Sequence, residues 1–329
     1  MPELPEVEAS RLKIEKYCLN KEITDILVHE RGGHAREGDF DDIVIDDSLR
    51  KPQKFIGRIL IRTYRKGKYM VWELGEGHNL LFHFGMTGNF RIKGDDSYIT
   101  YRSSPFSEGK GNDESELEKE QESIWPPKFT KLTFIFGDEV EVAFTDPRRL
   151  GRVKIRYHPL REEPLSELAA DPFLEMPERK DFESLVRGSG NRAIKSILLD
   201  QTAIVCGIGN YLADECLHKA EIHPATRAQL LSAAEIEKLR LSILSICGIA
   251  CKCLVENLEF PQDWLFHLRW NTKARNKRQK LAVVNEIKIR GRTTLFDPNV
   301  QRLRKNVRKA EISESSIEKE AKTEDGDGS

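Results

Sequence analysis

Apolar positions over the first 160 residues fall mostly into short, alternating runs bounded by turn residues, whereas beyond residue 178 they recur at helical spacing. Pro5 at a first helical turn, with Glu6 and Glu8 facing the helix dipole and Val7, Ile14 and Cys18 on one face, predicts a helix ending near Cys18. Nine β-rich runs follow: Glu22–Val28, Asp42–Ile45, Lys54–Tyr64, Tyr69–Leu74, Asn79–Phe84, Asn89–Lys93, Lys131–Phe136, Glu139–Phe144 and Gly151–Tyr157. Short strands at this regular spacing predict a sandwich or flattened barrel. The Glu/Gly/Ser-rich stretch Ser107–Ser123 reads as a disordered surface insertion, and Asp171-Pro172 to Pro177 as a linker. Helical patterns then cover Lys180–Arg187, Arg192–Leu199, Tyr211–Ala220, Ala234–Glu256 and Trp264–Arg269. Glu286–Ile289 and Thr293–Phe296 predict two strands about a tight Arg290-Gly291-Arg292 turn. The chain is therefore α+β: an N-terminal helix and two-layer β-sandwich over 1–160, a linker over 161–177, a helical domain over 178–270, a basic loop and hairpin over 271–309, and an acidic tail over 310–329.

Composition narrows the classes. With 39% hydrophobic and 33% charged residues the balance is that of a globular protein, and no run approaches the roughly 18 apolar residues of a membrane helix. The polar, acidic opening is neither a secretory signal nor an Arg-rich transit peptide, which predicts a cytosolic or nuclear protein. The formal net charge of −1 conceals strong segregation. His267–Lys309 holds fourteen Lys/Arg against Glu286 and Asp297, a net +12, and Glu311–Ser329 is net −5. Such a segment fits a polyanion-binding surface, and it also fits two solvated charge runs. The six cysteines, at 18, 206, 216, 247, 251 and 253, show no C-x2-C spacing. Buried free thiols are expected, with no metal and no cofactor.

The first residues carry the sharpest chemistry. Within a chain a prolyl nitrogen is an unreactive tertiary amide, but removal of Met1 turns Pro2 into a secondary amine, partly neutral near pH 7. Condensed with a sugar aldehyde, that amine gives a cationic iminium, an electron sink that acidifies the neighbouring sugar protons. Glu3 beside it could protonate the opening sugar oxygen and later shuttle protons. Taken without context, the same residues also read as a simple helix cap.

Met1-Pro2-Glu3-Leu4-Pro5-Glu6-Val7-Glu8 resembles the opening of the formamidopyrimidine-DNA glycosylase/endonuclease VIII family. The resemblance continues through Arg65-Lys66-Gly67-Lys68-Tyr69, His83-Phe84-Gly85-Met86-Thr87-Gly88 and Thr145-Asp146-Pro147-Arg148-Arg149-Leu150-Gly151. It extends through Ala193-Ile194-Lys195, Gly207-Ile208-Gly209-Asn210-Tyr211, Glu221-Ile222-His223-Pro224 and Gly291-Arg292-Thr293-Thr294, spanning roughly residues 2–305. It implies a helix–two-turn–helix in the helical domain and a C-terminal β-hairpin finger. The finger would be zincless, because the four cysteines with which bacterial relatives bind zinc are missing.

The resemblance also implies roles. Pro2 is the nucleophile, Glu3 the acid/base, Glu6 a further catalytic carboxylate and Lys68 the second catalytic lysine. Met86, Arg148 and Leu150 fill the space left by a flipped-out base, with leucine standing where phenylalanine is common. Lys195, Asn210 and Arg292 grip phosphates near the lesion, as does Lys131, and free N–H groups at the Gly207–Asn210 turn favour a phosphate as well. Residue types alone leave ordinary alternatives: Met86 as core filler, Asp146-Pro147 as a hairpin turn, Lys68 as a solvated charge. Trp264-Leu265-Phe266-His267-Leu268-Arg269-Trp270 and the basic loop after it resemble the plant and fungal branch, implying weak 8-oxoguanine removal.

The expected partner is double-stranded DNA containing oxidised bases or abasic sites, bound by a monomer. The expected reaction is base excision followed by β,δ-elimination. A non-catalytic damaged-DNA-binding protein on the same fold would share the basic segment, but Pro2, Glu3 and Lys68 together favour the enzyme. An RNA- or ribosome-associated protein gives no reason for the N-terminal motif. Lys273–Lys280 and Arg302–Lys309 fit nuclear import, and fit DNA contact equally well.

Overall fold

Helix α1, Leu4–Cys18, sends Leu4 into one hydrophobic core and Val7, Ile14 and Cys18 into another, so its first turn lies where two packed bodies meet. The computed structural model describes residues 2–29, 41–75, 77–95, 125–270, 276 and 284–303; the expected insertion, most of the basic loop and the acidic tail lie outside them.

Among the described residues of the first body, eight strands form two antiparallel sheets. β1 (Ile23–Val28), β6 (Thr130–Phe136), β7 (Val140–Thr145) and β5 (Asn89–Ile92) pair in that order. The second sheet runs β2 (Arg62–Lys66), β3 (Tyr69–Glu73), β4 (Asn79–His83), β8 (Arg152–Arg156). Their inner faces meet around Trp72, whose ring centroid lies 4.8 Å from Phe82, 5.2 Å from Phe90 and 4.9 Å from Phe134. Aromatic packing of this density makes the sandwich a rigid platform for the loops at its edge.

Two expected strands differ. Asp42–Ile45 is a turn, because the Asp41 carbonyl accepts the N–H groups of Val44 and Ile45, and only Ile45 bridges Val153. The run Lys54–Tyr64 starts as a 3-10 turn at Pro52–Phe55 and breaks at Gly57, whose φ of +84° belongs to glycine, so β2 begins only at Arg62.

The second body packs α2 (Arg179–Gly188), α3 (Ile194–Leu198), α4 (Asn210–Ala220) and α5 (Ala233–Val255) around one apolar core. Ser232 and Glu235 cap α5 reciprocally, Glu235 N–H to Ser232 Oγ at 3.3 Å and Ser232 N–H to Glu235 at 2.8 Å. The expected helix at Arg192–Leu199 is shorter, since Ala193 bridges Arg227 in extended form. After α6 (Phe266–Trp270) the hairpin β9 (Asn285–Ile289) and β10 (Arg292–Phe296) turns at Arg290 and Gly291. Both have positive φ, the form that matches strand twist in a two-residue turn. The six cysteines are buried thiols. Among the described residues no helix is long and apolar enough to cross a membrane.

Candidate active site

The chain's first turn is docked on a glycine loop some two hundred residues away. Glu3 N–H donates to the Glu6 carboxylate at 2.8 Å, closing the start of α1. The Glu3 carboxylate itself turns away and accepts N–H bonds from Gly209 (2.8 Å), Tyr211 (3.1 Å) and Leu212 (3.2 Å) at the start of α4. Leu4 N–H donates to the Gly207 carbonyl at 3.0 Å. Both glycines are required. A Cβ on Gly209 would lie 2.2 Å from Glu3 Cδ, and one on Gly207, at φ +86°, 2.8 Å from Leu4. The N–H groups expected to seat a DNA phosphate are therefore taken by the protein's own Glu3, which completes the same helix-terminus anion site. Pro2 is buried beside this contact.

Lys68 arrives from the other side. It follows the β2–β3 turn at Gly67, whose N–H donates to Asp171 at 2.7 Å. Arg65, fully buried, forks onto Asp171 and reaches Glu8 at 2.9 Å, tying β2, α1 and the linker together. Lys68 Nζ donates to the Ile208 carbonyl at 2.9 Å. One peptide unit, Ile208–Gly209, thus holds Lys68 at its carbonyl and Glu3 at its amide. Gln201 steadies that loop, donating to Ile208 O at 2.9 Å and accepting from Gly207 N at 2.8 Å.

Burial sets the protonation. Desolvation raises the Glu3 carboxyl above the ordinary range, against the opposing pull of Lys68 and of the α4 amides. Glu6, buried and next to Glu3, is pushed up to about 7, and accepts the Tyr211 hydroxyl at 3.1 Å. Desolvation lowers Lys68, with Glu3 opposing and Arg292 reinforcing that shift. His83, half-buried near Lys68 and Arg152, is lowered to about 4 and is neutral at physiological pH. Burial thus shifts the Glu3 carboxyl up and the Lys68 ammonium down, toward each other, which suits the pair to proton transfer.

Met86 and Leu150 are 36% and 41% exposed, and Arg148 is exposed between them in sequence, so none of the three is core filler. Their two loops are buttressed by buried Asp146, which accepts Thr87 Oγ1 at 2.6 Å, Gly151 N–H at 2.6 Å and Arg148 N–H at 3.2 Å. A Cβ on Gly85 would lie 2.3 Å from the Leu150 backbone, so the loops touch through main chain. Two exposed apolar tips thus stand on one hydrogen-bonded polar base.

Asn210, first residue of α4, donates Nδ2–H to Thr293 O at 2.9 Å, and Arg292 is exposed at the start of β10. Two residues expected as phosphate ligands lie inside the fold. Lys131 is 1% exposed and lies 3.2 Å from buried Asp41, which Arg149 also grips, so its ammonium serves an internal ion pair. Lys195 is fully buried against Asp214 at 2.5 Å. Both lie on sequence patterns that give spacing but not which way a lysine turns. Gln201 carries no signal in the sequence, Asp146 reads only as a hairpin turn, Tyr211 only as a helix start, and Asp171 only as linker, although an Asp-Pro pair between two bodies can pin them. The hairpin Asn285–Phe296 contains no cysteine, and the described residues offer no group of three His, Cys, Asp or Glu side chains able to hold a metal. Its residues do not fit a zinc finger.

The formamidopyrimidine-DNA glycosylase N-terminal domain model matches residues 1–153, and the H2TH domain model of the same enzymes matches residues 168–256. A formamidopyrimidine-DNA glycosylase of Arabidopsis thaliana is 34% identical over 313 residues, covering 92% of this chain and 71% of its own length. One from Desulfitobacterium hafniense is 30% identical, covering 92% of this chain and 100% of its own. The fold is similar to that of Lactococcus lactis formamidopyrimidine-DNA glycosylase bound to DNA containing an AP site, with a TM-score of 0.66, 24% identity, and 91% and 99% of the two chains covered. It is also similar to a MutM protein bound to carbocyclic 8-oxo-G DNA, at TM-score 0.64 and 24% identity, covering 92% of this chain and 100% of that one. With two domain models matched in order, over most of the described chain, this protein belongs to the formamidopyrimidine-DNA glycosylase family.

Proposed function

We propose that this chain is a bifunctional DNA glycosylase/AP lyase acting on double-stranded DNA with oxidised bases or abasic sites. The observation that carries the reading is the Ile208–Gly209 peptide, which holds a lysine (Lys68) at one end and, at the other, the acid (Glu3) that directly follows Pro2. With Met1 removed, the Pro2 nitrogen attacks C1′ and the bond to the damaged base breaks. Glu3 protonates the sugar ring oxygen, the ring opens, and the nitrogen lone pair forms the iminium. Loss of a C2′ proton expels the 3′ phosphate, loss of a C4′ proton then expels the 5′ phosphate, and water hydrolyses the remaining iminium, which frees Pro2 and the unsaturated sugar aldehyde and leaves a one-nucleotide gap. Met86, Arg148 and Leu150 fill the vacated stack, while Asn210 and Arg292 take flanking phosphates.

The finer reading places the chain with plant- and fungal-type enzymes of the nucleus. It is supported by the missing finger cysteines, the Trp264–Trp270 segment, the Arabidopsis relative and the Lys/Arg clusters. Formamidopyrimidines and further-oxidised guanine products are the substrates, and 8-oxoguanine is poor. Duplexes carrying each lesion test this. Cleavage should leave phosphate at both ends of the gap, with 8-oxoguanine slower by about tenfold or more, the scale that one or two pocket contacts set. Comparable turnover of 8-oxoguanine and formamidopyrimidine overturns the preference, and an uncut abasic duplex overturns the activity.

A further inference from the structure

A hairpin of two strands is marginal by itself, and bacterial relatives are expected to brace theirs with zinc. Here β9 is largely exposed, and only Thr294, Leu295 and Phe296 of β10 are buried. The apolar support is small: Leu295 joins Leu265, Leu268 and Val284, while Phe296 packs edge-on to His223 at 4.6 Å. The polar support converges on one side chain. Asp214, fully buried in α4, accepts Leu295 N–H at 3.0 Å through Oδ2 and Lys195 through Oδ1, and its Oδ2 also receives Arg269 of α6. Arg269 reaches on to Thr293 O at 3.4 Å, the carbonyl that Asn210 also binds. The neighbouring Glu215 accepts the N–H groups of Leu265 (3.2 Å) and Phe266 (2.7 Å) ahead of α6.

We infer that Asp214 is the positioning residue of the finger: it clasps Leu295 and Arg269 to the helix that begins with Asn210, and so fixes Arg292 where a metal site would otherwise have to. Two cations around one carboxylate leave the clasp charged and directional. The strand it holds carries Arg292 three residues from Leu295, and the helix it belongs to carries Asn210 one turn away. Phosphate ligands on two separate elements are thereby locked into one geometry. The inference rests on the proposed role of Arg292 as a phosphate ligand.

A double-mutant cycle on the full chain tests it, reading affinity for an abasic-analogue duplex against salt. Arg292→Ala should weaken binding about tenfold and lower the salt slope by about one phosphate. Asp214→Asn should reproduce most of that loss and the same slope change, falling on KM more than on kcat. The double variant should bind within about twofold of Arg292→Ala, because a displaced arginine has nothing left to lose. Hydrogen exchange should speed up over residues 285–296 and not over α1. If Asp214→Asn does not fold, Arg269→Lys, which keeps the charge and loses the fork, should show the same pattern more weakly. Losses that add in the double variant, or an unchanged salt slope, overturn the clasp; an inert Arg292→Ala overturns instead the phosphate role beneath it.

Discussion

Glu3 and Lys68 are held by opposite ends of the same peptide unit, the amide of Gly209 and the carbonyl of Ile208. A displacement of that unit moves acid and lysine together, so their mutual geometry depends on a loop with no reactive side chain of its own. The glycines of this loop are a docking surface for the N-terminus.

Gly209→Ala should accordingly damage chemistry more than binding. Its methyl group would meet Glu3 at 2.2 Å, and a catalytic group pushed about 1 Å aside costs on the order of 100-fold in rate. Single-turnover cleavage of an abasic duplex should fall by that order while affinity changes by a few-fold at most. Gly248→Ala in α5, where a Cβ meets nothing, is the control and should leave the rate intact. Equal rates for the two variants would contradict the docking role.

Glu6 makes stability depend on pH. Its folded pKa of about 7 lies above the ordinary 4.5, mainly through burial and then through the Glu3 charge. Between those values the native state keeps a proton that the unfolded chain has released. The stabilisation is therefore complete below about pH 4.5 and is lost as pH rises through about 7, a change of roughly 3 kcal/mol. Glu6→Gln should remove this component, so its unfolding free energy should decline less than that of the unmodified protein between pH 5 and 8. Chemical denaturation at the two pH values measures it; parallel declines would show that Glu6 does not titrate there.

Asp146 should matter for recognising the lesion. With Asp146→Ala, Thr87 and the amides of Arg148 and Gly151 lose their shared acceptor, and the Met86 and Leu150 tips lose their base. Buried donors left unsatisfied cost about 1–3 kcal/mol each. Affinity for an abasic-analogue duplex should drop by about tenfold or more, with a smaller loss on undamaged duplex that needs no wedge. A fluorescent base opposite the lesion reports insertion directly. Equal losses on both duplexes would count against a wedge.

Metal removal should change nothing. The hairpin has no cysteine, and its register is kept by Asp214, Arg269 and four apolar side chains. Prolonged exposure to a zinc chelator should leave cleavage and its salt dependence unaltered. Activity lost to the chelator and restored by zinc would contradict this account of the finger.

Much of this was legible in the chain. Alternation and turn residues located most of the strands, and the Pro5–Cys18 pattern gave α1 in full, because these signals are local. Asp42–Ile45 and Lys54–Ile61 misled because Asp41 and Gly57 impose turns that apolar spacing does not register. Glu3 and Lys68 stood out through their motifs, but the peptide that joins them lies more than 130 residues beyond Lys68, a distance no local pattern spans. The resemblance implies phosphate contacts for Lys131 and Lys195. Their ammonium groups turn inward because Asp41 and Asp214 are buried opposite them, and a sequence does not show which carboxylate a lysine will find. Asp214 went unnoticed for the same reason: its partners come from α3, α6 and β10, which converge only in the fold.

The most direct measurement is borohydride trapping on an abasic-site duplex, with the mature N-terminus verified by mass spectrometry. Protein with a free Pro2 should form a covalent adduct with the DNA, and the same chain extended ahead of Pro2 should bind the duplex but give none. Full trapping and cleavage by chain that still carries Met1 would contradict the account, whatever the remaining contacts suggest.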